Sequence, residues 1–260
     1  MKGFVLKRNT RQRRHQIVQQ LNQTGEVSVE QLANQHQTSE VTIRKDLAML
    51  ESSGLLLRRY GGAVPIPQEI VTEPLEQNVS NRKVLVARAA AALIGEHQRI
   101  IIDSGTTTSA MIPELSSKRG LVVMTNAIRV ANALRELEHE PTLLMTGGTW
   151  DPQSESFQGA VAEQVLRAYD FDWLFIGADG LDLSRGTVTF NELTGLSQVM
   201  ADVARQVVVV AESNKIGRKI PNLELPWQQI SYVVTDQEIT PEQKAAIEHH
   251  GVTVLCADLN

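Results

Sequence analysis

One short turn carries residue types that suit an anion. Asp103-Ser104-Gly105-Thr106-Thr107-Thr108 separates the apolar run Arg99 to Ile102 from a helix-like stretch. Small residues let backbone approach a ligand, and hydroxyls and amides at a helix start favour negative charge. The turn reads as a phosphate site, although Ser/Gly/Thr turns also serve as plain connections. Thr125-Asn126, Gly147-Gly148 and Gly177-Ala178-Asp179-Gly180 likewise follow apolar runs, and Phe190-Asn191-Glu192 and Ser213 to Lys219 add polar groups. Asp179 and Glu192 can accept hydroxyl protons from a polyol. Lys215 can pair with a phosphate or with one of those acids. The acids Asp103, Asp179 and Glu192 with Lys215 could also move protons, so an isomerase-type enzyme stays open beside a binding site. No further general-base histidine or metal-ligand cluster stands out, and no cofactor is implied. His249-His250 ends a polar helix and is expected to face solvent.

A second constellation lies near the N-terminus. Ser39 caps a helix expected to run to about Ser52, in which Ile43, Leu47 and Leu50 share one face. The opposite face carries Val41, Arg44, Lys45 and, at its margin, Thr42. Hydroxyl, methyl and guanidinium groups on one exposed helix face are what base edges in a DNA groove require. Arg44 suits a guanine and Val41 a thymine methyl. Arg11, Arg13, Arg14, Arg58 and Arg59 suit phosphates or a groove edge, which position without reading sequence. A three-helix protein-interaction domain would show the same charges.

The elements that position these groups follow from spacing. Residues 10 to 22 form a helix on Ile17, Val18 and Leu21, which Gly25 stops. Ser28 opens a second helix to about Gln35, with Gln31 completing a capping box. After Gly54, Leu55 to Tyr60 and Ala63-Val64 make a strand pair around Gly61-Gly62. Residues 65–80, with Pro65, Pro67 and Pro74, read as a linker. An alanine-rich helix, Arg82 to about Ile94, opens the second domain. β-branched runs then alternate with helices, which means a mainly parallel α/β sheet covered on both faces. The expected domains are 1–64, a winged helix-turn-helix, and 81–260, an effector and oligomerisation domain.

Charge supports this division. Residues 1–62 hold ten Lys/Arg and five Asp/Glu, whereas the whole 260-residue chain has a net charge of -5. A basic head on an acidic body fits a DNA-binding module fused to something else, though a solvated charge run gives the same counts. The single cysteine, Cys256, allows no internal disulfide. No run reaches the length of a membrane span, and no apolar signal core follows the basic N-terminus. A cytoplasmic protein without a membrane partner is expected.

Several segments together resemble one family. They are Arg13 to Ile17, Val27 to Ala33, Ser39 to Leu47, Leu50-Glu51, Gly54, and Arg58-Arg59-Tyr60-Gly61-Gly62-Ala63. They look like the DeoR family of sugar-operon transcriptional repressors, within which the likeness is to regulators of hexitol and amino-sugar uptake, such as those for glucitol, galactitol and N-acetylgalactosamine. The resemblance implies that Asp46 and Glu51 are scaffold positions, that Gly61-Gly62 is a wing tip, and that Tyr60 joins the DNA-contacting set. In the second domain it falls on Asp103 to Thr107, Thr125-Asn126, Gly147-Gly148, Asp179-Gly180, Asn191-Glu192 and Lys215 to Arg218. It implies a fold similar to ribose-5-phosphate isomerase and a phosphorylated sugar or sugar alcohol as effector. The family usually shows Ser-Lys-Phe-Gly where this chain has Asn214-Lys215-Ile216-Gly217. A repressor working as a homodimer or homotetramer on operator DNA is the expected function. The alternatives are an isomerase-like enzyme with a DNA-binding head, or a body that only oligomerises.

Overall fold

The computed structural model describes residues 10–52, 56–59, 61–64, 81–152, 154–191 and 194–258. The chain divides into two compact units, Met1–Leu75 and Glu76–Asn260. The expected linker at 65–80 lies outside the described residues, as do Gly54, Tyr60 and Glu192.

In the first unit α1 (Thr10–Thr24), α2 (Val29–Gln35) and α3 (Glu40–Ser52) pack with short strands β1 (Val27–Ser28), β2 (Leu57–Arg59) and β3 (Gly62–Val64). Gly25 ends α1 at φ +76°, its N–H reaching Leu21 O. Ser28 Oγ accepts from Gln31 N at 3.1 Å and starts α2. Ile17, Leu21, Val29, Leu32, Ile43, Leu47 and Leu50 close one core, as the helical spacing requires. The strands run in the order β1-β3-β2, all antiparallel. β1, only two residues long, gave no alternating pattern to find. Gly62 must be glycine, because a Cβ there would lie 2.1 Å from Val27 O.

The second unit opens with α4 (Asn81–Ala91), then β4 (Arg99–Ile102), α5 (Thr106–Ser109), β5 (Val122–Thr125), α6 (Ile128–Arg135) and β6 (Thr142–Met145). A hairpin follows, β7 (Thr149–Asp151) and β8 (Ser156–Gln158), then α7 (Ala160–Leu166) and β9 (Phe171–Ile176). Next come β10 (Gly180–Asp182), β11 (Gly186–Thr189), α8 (Gly195–Asp202), β12 (Ala204–Val210) and β13 (Asn222–Pro226). β14 (Tyr232–Thr235), α9 (Pro241–Glu248) and β15 (Thr253–Cys256) complete the unit.

Seven strands form one sheet in the order β15-β14-β12-β9-β4-β5-β6, and every pairing is parallel. The pleat splits the apolar runs between two cores. Ile100, Ile102, Phe175, Val208 and Val210 face one, and Ile101, Leu174, Ile176, Val207 and Val209 the other. A sheet covered on both faces needs continuous apolar strands for this reason. The order reverses between β4 and β9, and such a switch point is where parallel sheets commonly bind ligands, beyond the carboxyl ends of their strands.

Two features depart from the sequence reading. A small antiparallel sheet, β10-β11-β13, sits beside the main one. Its strands are three to five residues long with Gly or Pro at their ends, and sequence alone assigned them no element. His250 does not face solvent. It stacks on Trp227, rings 5.5 Å apart and 11° from parallel, and its Nε2 lies 2.8 Å from Leu183 O. Its neighbour His249 is exposed, as expected. No described helix is long and apolar enough to cross a membrane.

Candidate functional sites

The carboxyl ends of β5, β4, β9 and β12 lie side by side, and each contributes a polar loop. Asn126, fully buried after β5, joins the β4 loop by two bonds: its Nδ2 donates to Asp103 Oδ1 at 2.8 Å, and its Oδ1 accepts from Ser104 N at 3.1 Å. Gly105 then takes φ +141°, open to glycine alone, and α5 begins. Thr108 Oγ1 donates back to Asp103 O at 2.9 Å and Gly105 O at 3.1 Å. The described residues give no partner to the N–H groups of Gly105, Thr106, Thr107 and Thr108. Groups at the start of a helix commonly lack one. Thr106 is exposed and Thr107 buried.

After β9, Asp179 Oδ2 accepts from Thr189 Oγ1 at 2.7 Å. After β12, Lys215 Nζ donates to Ala178 O at 2.8 Å. Burial lowers the Lys215 pKa, Asp179 opposes that, and Arg218 adds to it. Burial raises Asp103 to about 6 against the bonds from Ser104 and Asn126. Glu224 of β13 faces the same space. Burial, with the charges of Asp103 and Asp179, lifts it to about 7 against the Ser197 hydroxyl, 2.8 Å away. The site therefore pairs backbone N–H groups and a lysine, suited to an anion, with carboxylates suited to hydroxyl donors.

Not every expected residue joins it. Thr125 is fully buried, and its Oγ1 accepts from Ala127 N at 3.1 Å, which shapes the turn. The Thr108 hydroxyl is likewise spent on its own turn. Gly147 and Gly148 end the edge strand β6, beyond β5 from Asp103; Gly148 packs where a Cβ would lie 2.6 Å from Gln158 O. Asn191 donates its N–H to Thr189 Oγ1 at 3.0 Å, next to Asp179 through that hydroxyl. Among the described residues no group of His, Cys, Asp and Glu forms a metal site.

In the first unit α3 presents Val41, 58 % exposed, with Arg44 and Lys45 on the surface and Thr42 half-buried. Ser39 Oγ accepts from Thr42 N at 3.2 Å and lies 2.9 Å from its hydroxyl, so both polar groups stand at the helix start. Arg44 pairs with Glu40 at 2.6 Å, Arg58 with Glu51 at 2.6 Å, and Arg59 with Glu26. Such exposed pairs contribute little, about 0–1 kcal/mol, and a phosphate can displace the acid. Arg13 departs from expectation. Its Nε donates to Asp46 Oδ2 at 2.6 Å and it is only 9 % exposed, so its guanidinium braces α1 against α3 and does not project outward. Arg14 shares Asp46 at 2.8 Å but remains part-exposed. The Arg11 side chain lies outside the described residues.

Two family models divide the chain in the same place. The DeoR-like helix-turn-helix domain matches residues 13–69, and the DeoR C terminal sensor domain matches residues 78–237. The chain belongs to the DeoR family. A putative aga operon transcriptional repressor of Escherichia coli O157:H7 is 40 % identical over 95 % of this chain and 93 % of its own length. The regulator GlpR of Haloferax volcanii is 32 % identical over 94 % of this chain and 96 % of its own. Among solved structures, ribose 5-phosphate isomerase A of Methanocaldococcus jannaschii is similar at 17 % identity, covering 52 % of this chain and 53 % of that one with a TM-score of 0.38.

In this DeoR-family chain the structure adds residues that the sequence did not single out. Glu224 and Thr189 sit on the small sheet, to which sequence alone assigned no element, and Ser197 on α8. Lys83 is 3 % exposed on α4 and Glu212 is 5 % exposed after β12. A buried lysine in an alanine-rich helix leaves no local signal; only its packing shows that it points inward.

Proposed function

We propose that this DeoR-family chain represses a carbohydrate operon under control of a phosphorylated sugar or sugar alcohol. The head binds operator DNA through α3, and the β4–α5 turn with Lys215 takes the phosphoryl group. Asp103, Asp179 and Glu224 take hydroxyls, Asn191 stands beside them through Thr189, and Glu192, outside the described residues, is a further ligand residue expected from sequence. The observation that carries this reading is the grouping of unpaired N–H groups, a buried lysine and several carboxylates at the carboxyl ends of β4, β9 and β12. The protein acts in the cytoplasm as a homodimer or homotetramer, because paired heads read paired half-sites. It senses and does not catalyse.

The test is the melting temperature against hexose, hexitol, pentose and amino-sugar phosphates, each beside its unphosphorylated parent. A phosphorylated compound that raises it, where its parent does not, supports the sensor, since a ligand stabilises the state it binds. No shift anywhere returns the oligomerisation-only reading. Aldose–ketose turnover lost on Glu192→Ala returns the enzyme.

The head has its own test. Arg44→Ala is expected to weaken operator binding by about 1–3 kcal/mol and to relax preference at one base pair. Arg58→Ala is expected to weaken all sequences alike and to flatten the salt dependence by about 0.9 in log–log slope for each phosphate no longer neutralised. Titrations of both variants on operator and scrambled DNA at several salt concentrations separate the two. The reverse pattern would exchange the reading and positioning roles.

A further inference from the structure

We infer that the second unit holds a further anion site, at the amino ends of β4, β9 and β12, which takes a small anion bearing a phosphoryl group. It goes beyond the effector reading and does not depend on it. A cavity of about 360 Å³ opens there, with Arg99, Arg167, Arg205, Tyr169 and Phe171 in its lining. Small-molecule sites span about 300–1,000 Å³. Arg99 opens β4, Phe171 opens β9, and Arg205 is the second residue of β12. These strands run parallel, so their amino ends lie opposite the carboxyl ends that lead to Asp103 and Lys215. The six residues of β9 set the two ends about 20 Å apart.

Three guanidiniums from three separate segments border this cavity, and most of their donors are unspent. The Arg99 guanidinium lies over the rings of Tyr169 and Phe171, 5.7 and 5.8 Å from their centroids. That contact holds the group in place without using its N–H donors. Arg205 is 80 % exposed and meets Asp172 only at 3.9 Å. Among the described residues the Arg167 guanidinium has no hydrogen bond or ion pair. Asp172 is already engaged, since its Oδ2 accepts from Arg99 N at 2.9 Å. Asp170 also borders the cavity, so three cations face two acids. The excess is positive although acidic residues outnumber basic ones in the chain as a whole. Like charges grouped in this way repel, and an anion between them relieves the repulsion.

The donor set selects the chemistry of the anion. Guanidiniums recognise carboxylate and phosphoryl oxygens through paired N–H bonds. A carboxylate offers two oxygens in one plane. A terminal phosphoryl group offers three, arranged around an axis, and so meets cations that arrive from three segments. None of these residues belongs to the effector site, so the two sites fill independently.

The experiment titrates inorganic phosphate, methyl phosphate, pyrophosphate and succinate into the full chain by calorimetry at constant ionic strength. Lys215→Met, in the same chain, removes the cation assigned to the effector site. The expected result is saturable binding of a phosphoryl probe that persists in Lys215→Met. In Arg167→Gln and in Arg205→Gln it is expected to weaken by about tenfold or more, the scale of one lost charge-assisted hydrogen bond. Both are surface substitutions, and an unchanged melting temperature without probe shows that each variant is folded. Tightest binding of inorganic phosphate supports the site with the free ion as its ligand. Tighter binding of methyl phosphate or pyrophosphate supports it with an ester or a diphosphate. Succinate bound as tightly as the phosphoryl probes overturns the phosphoryl assignment. No saturable binding, binding lost in Lys215→Met, or binding unchanged in both arginine variants overturns the site. A lower molar mass of both arginine variants in light scattering makes the arginines a contact with a second copy of the chain, and overturns it too.

Discussion

Asp46→Ala is expected to destabilise the head by about 3–5 kcal/mol, because it leaves the Arg13 guanidinium buried without its carboxylate. Asp46 is 2 % exposed and accepts from two arginines, Arg13 at 2.6 Å and Arg14 at 2.8 Å. The loss rivals the whole stability of a small domain, typically about 5–15 kcal/mol. Binding to operator and to scrambled DNA should fall together, since the fold and not a base contact is removed. Asp46→Asn keeps hydrogen-bonding groups without the charge and should fall between. Hydrogen exchange across residues 13–64 in the full-length protein is the direct measurement. Wild-type protection in the Asp46→Ala protein would mean that the pair contributes no more than a surface ion pair.

The second large effect is expected at Asn126. Its side chain satisfies both Asp103 Oδ1 and Ser104 N, so Asn126→Ala orphans an acceptor and a donor at once. Each unsatisfied buried group costs about 1–3 kcal/mol. Part of that cost should appear as lower stability of the second unit and part as looser geometry in the β4–α5 turn. Effector affinity should fall on the order of tenfold to more than a hundredfold, at about 1.4 kcal/mol per tenfold. Asn126 also holds the Asp103 pKa down against burial, so in the variant that pKa should move further above about 6. Titration calorimetry with the effector found by melting shift, combined with carboxyl NMR of Asp103, checks both halves. Wild-type affinity in a folded Asn126→Ala protein would remove the turn from the binding site.

Much of the architecture was legible from spacing. Ile43, Leu47 and Leu50 fall on one face of α3 in any helix, and the core that receives them is the one expected. The runs Ile100 to Ile102 and Val207 to Val210 could only be strands buried on both faces. Ser28 and Ser39 announced helix starts because a hydroxyl there satisfies an N–H that the helix cannot. The segments Ser39 to Leu47 and Arg58 to Ala63 carried the family likeness. Asp103 to Thr108 and Asn126 were legible as candidate residues because they follow apolar runs, although Ser/Gly/Thr turns of this kind also serve as plain connections.

Sequence by itself thus determined the periodicities, the helix starts, the two-unit organisation and the turn chemistry, all of which depend on residues close along the chain. Tertiary structure alone decided how individual polar side chains are used. Arg13 and Arg58 are the same residue type in the same basic head, yet one is buried against Asp46 while the other stays at the surface with Glu51. Thr108 turned inward to close its own loop. Glu224 and Lys83 come from an unrecognised strand and an alanine-rich helix, and their raised and lowered pKa values exist only where burial strips away water and brings distant charges together. Long-range burial and charge are properties of the packed chain, and no short window of sequence contains them.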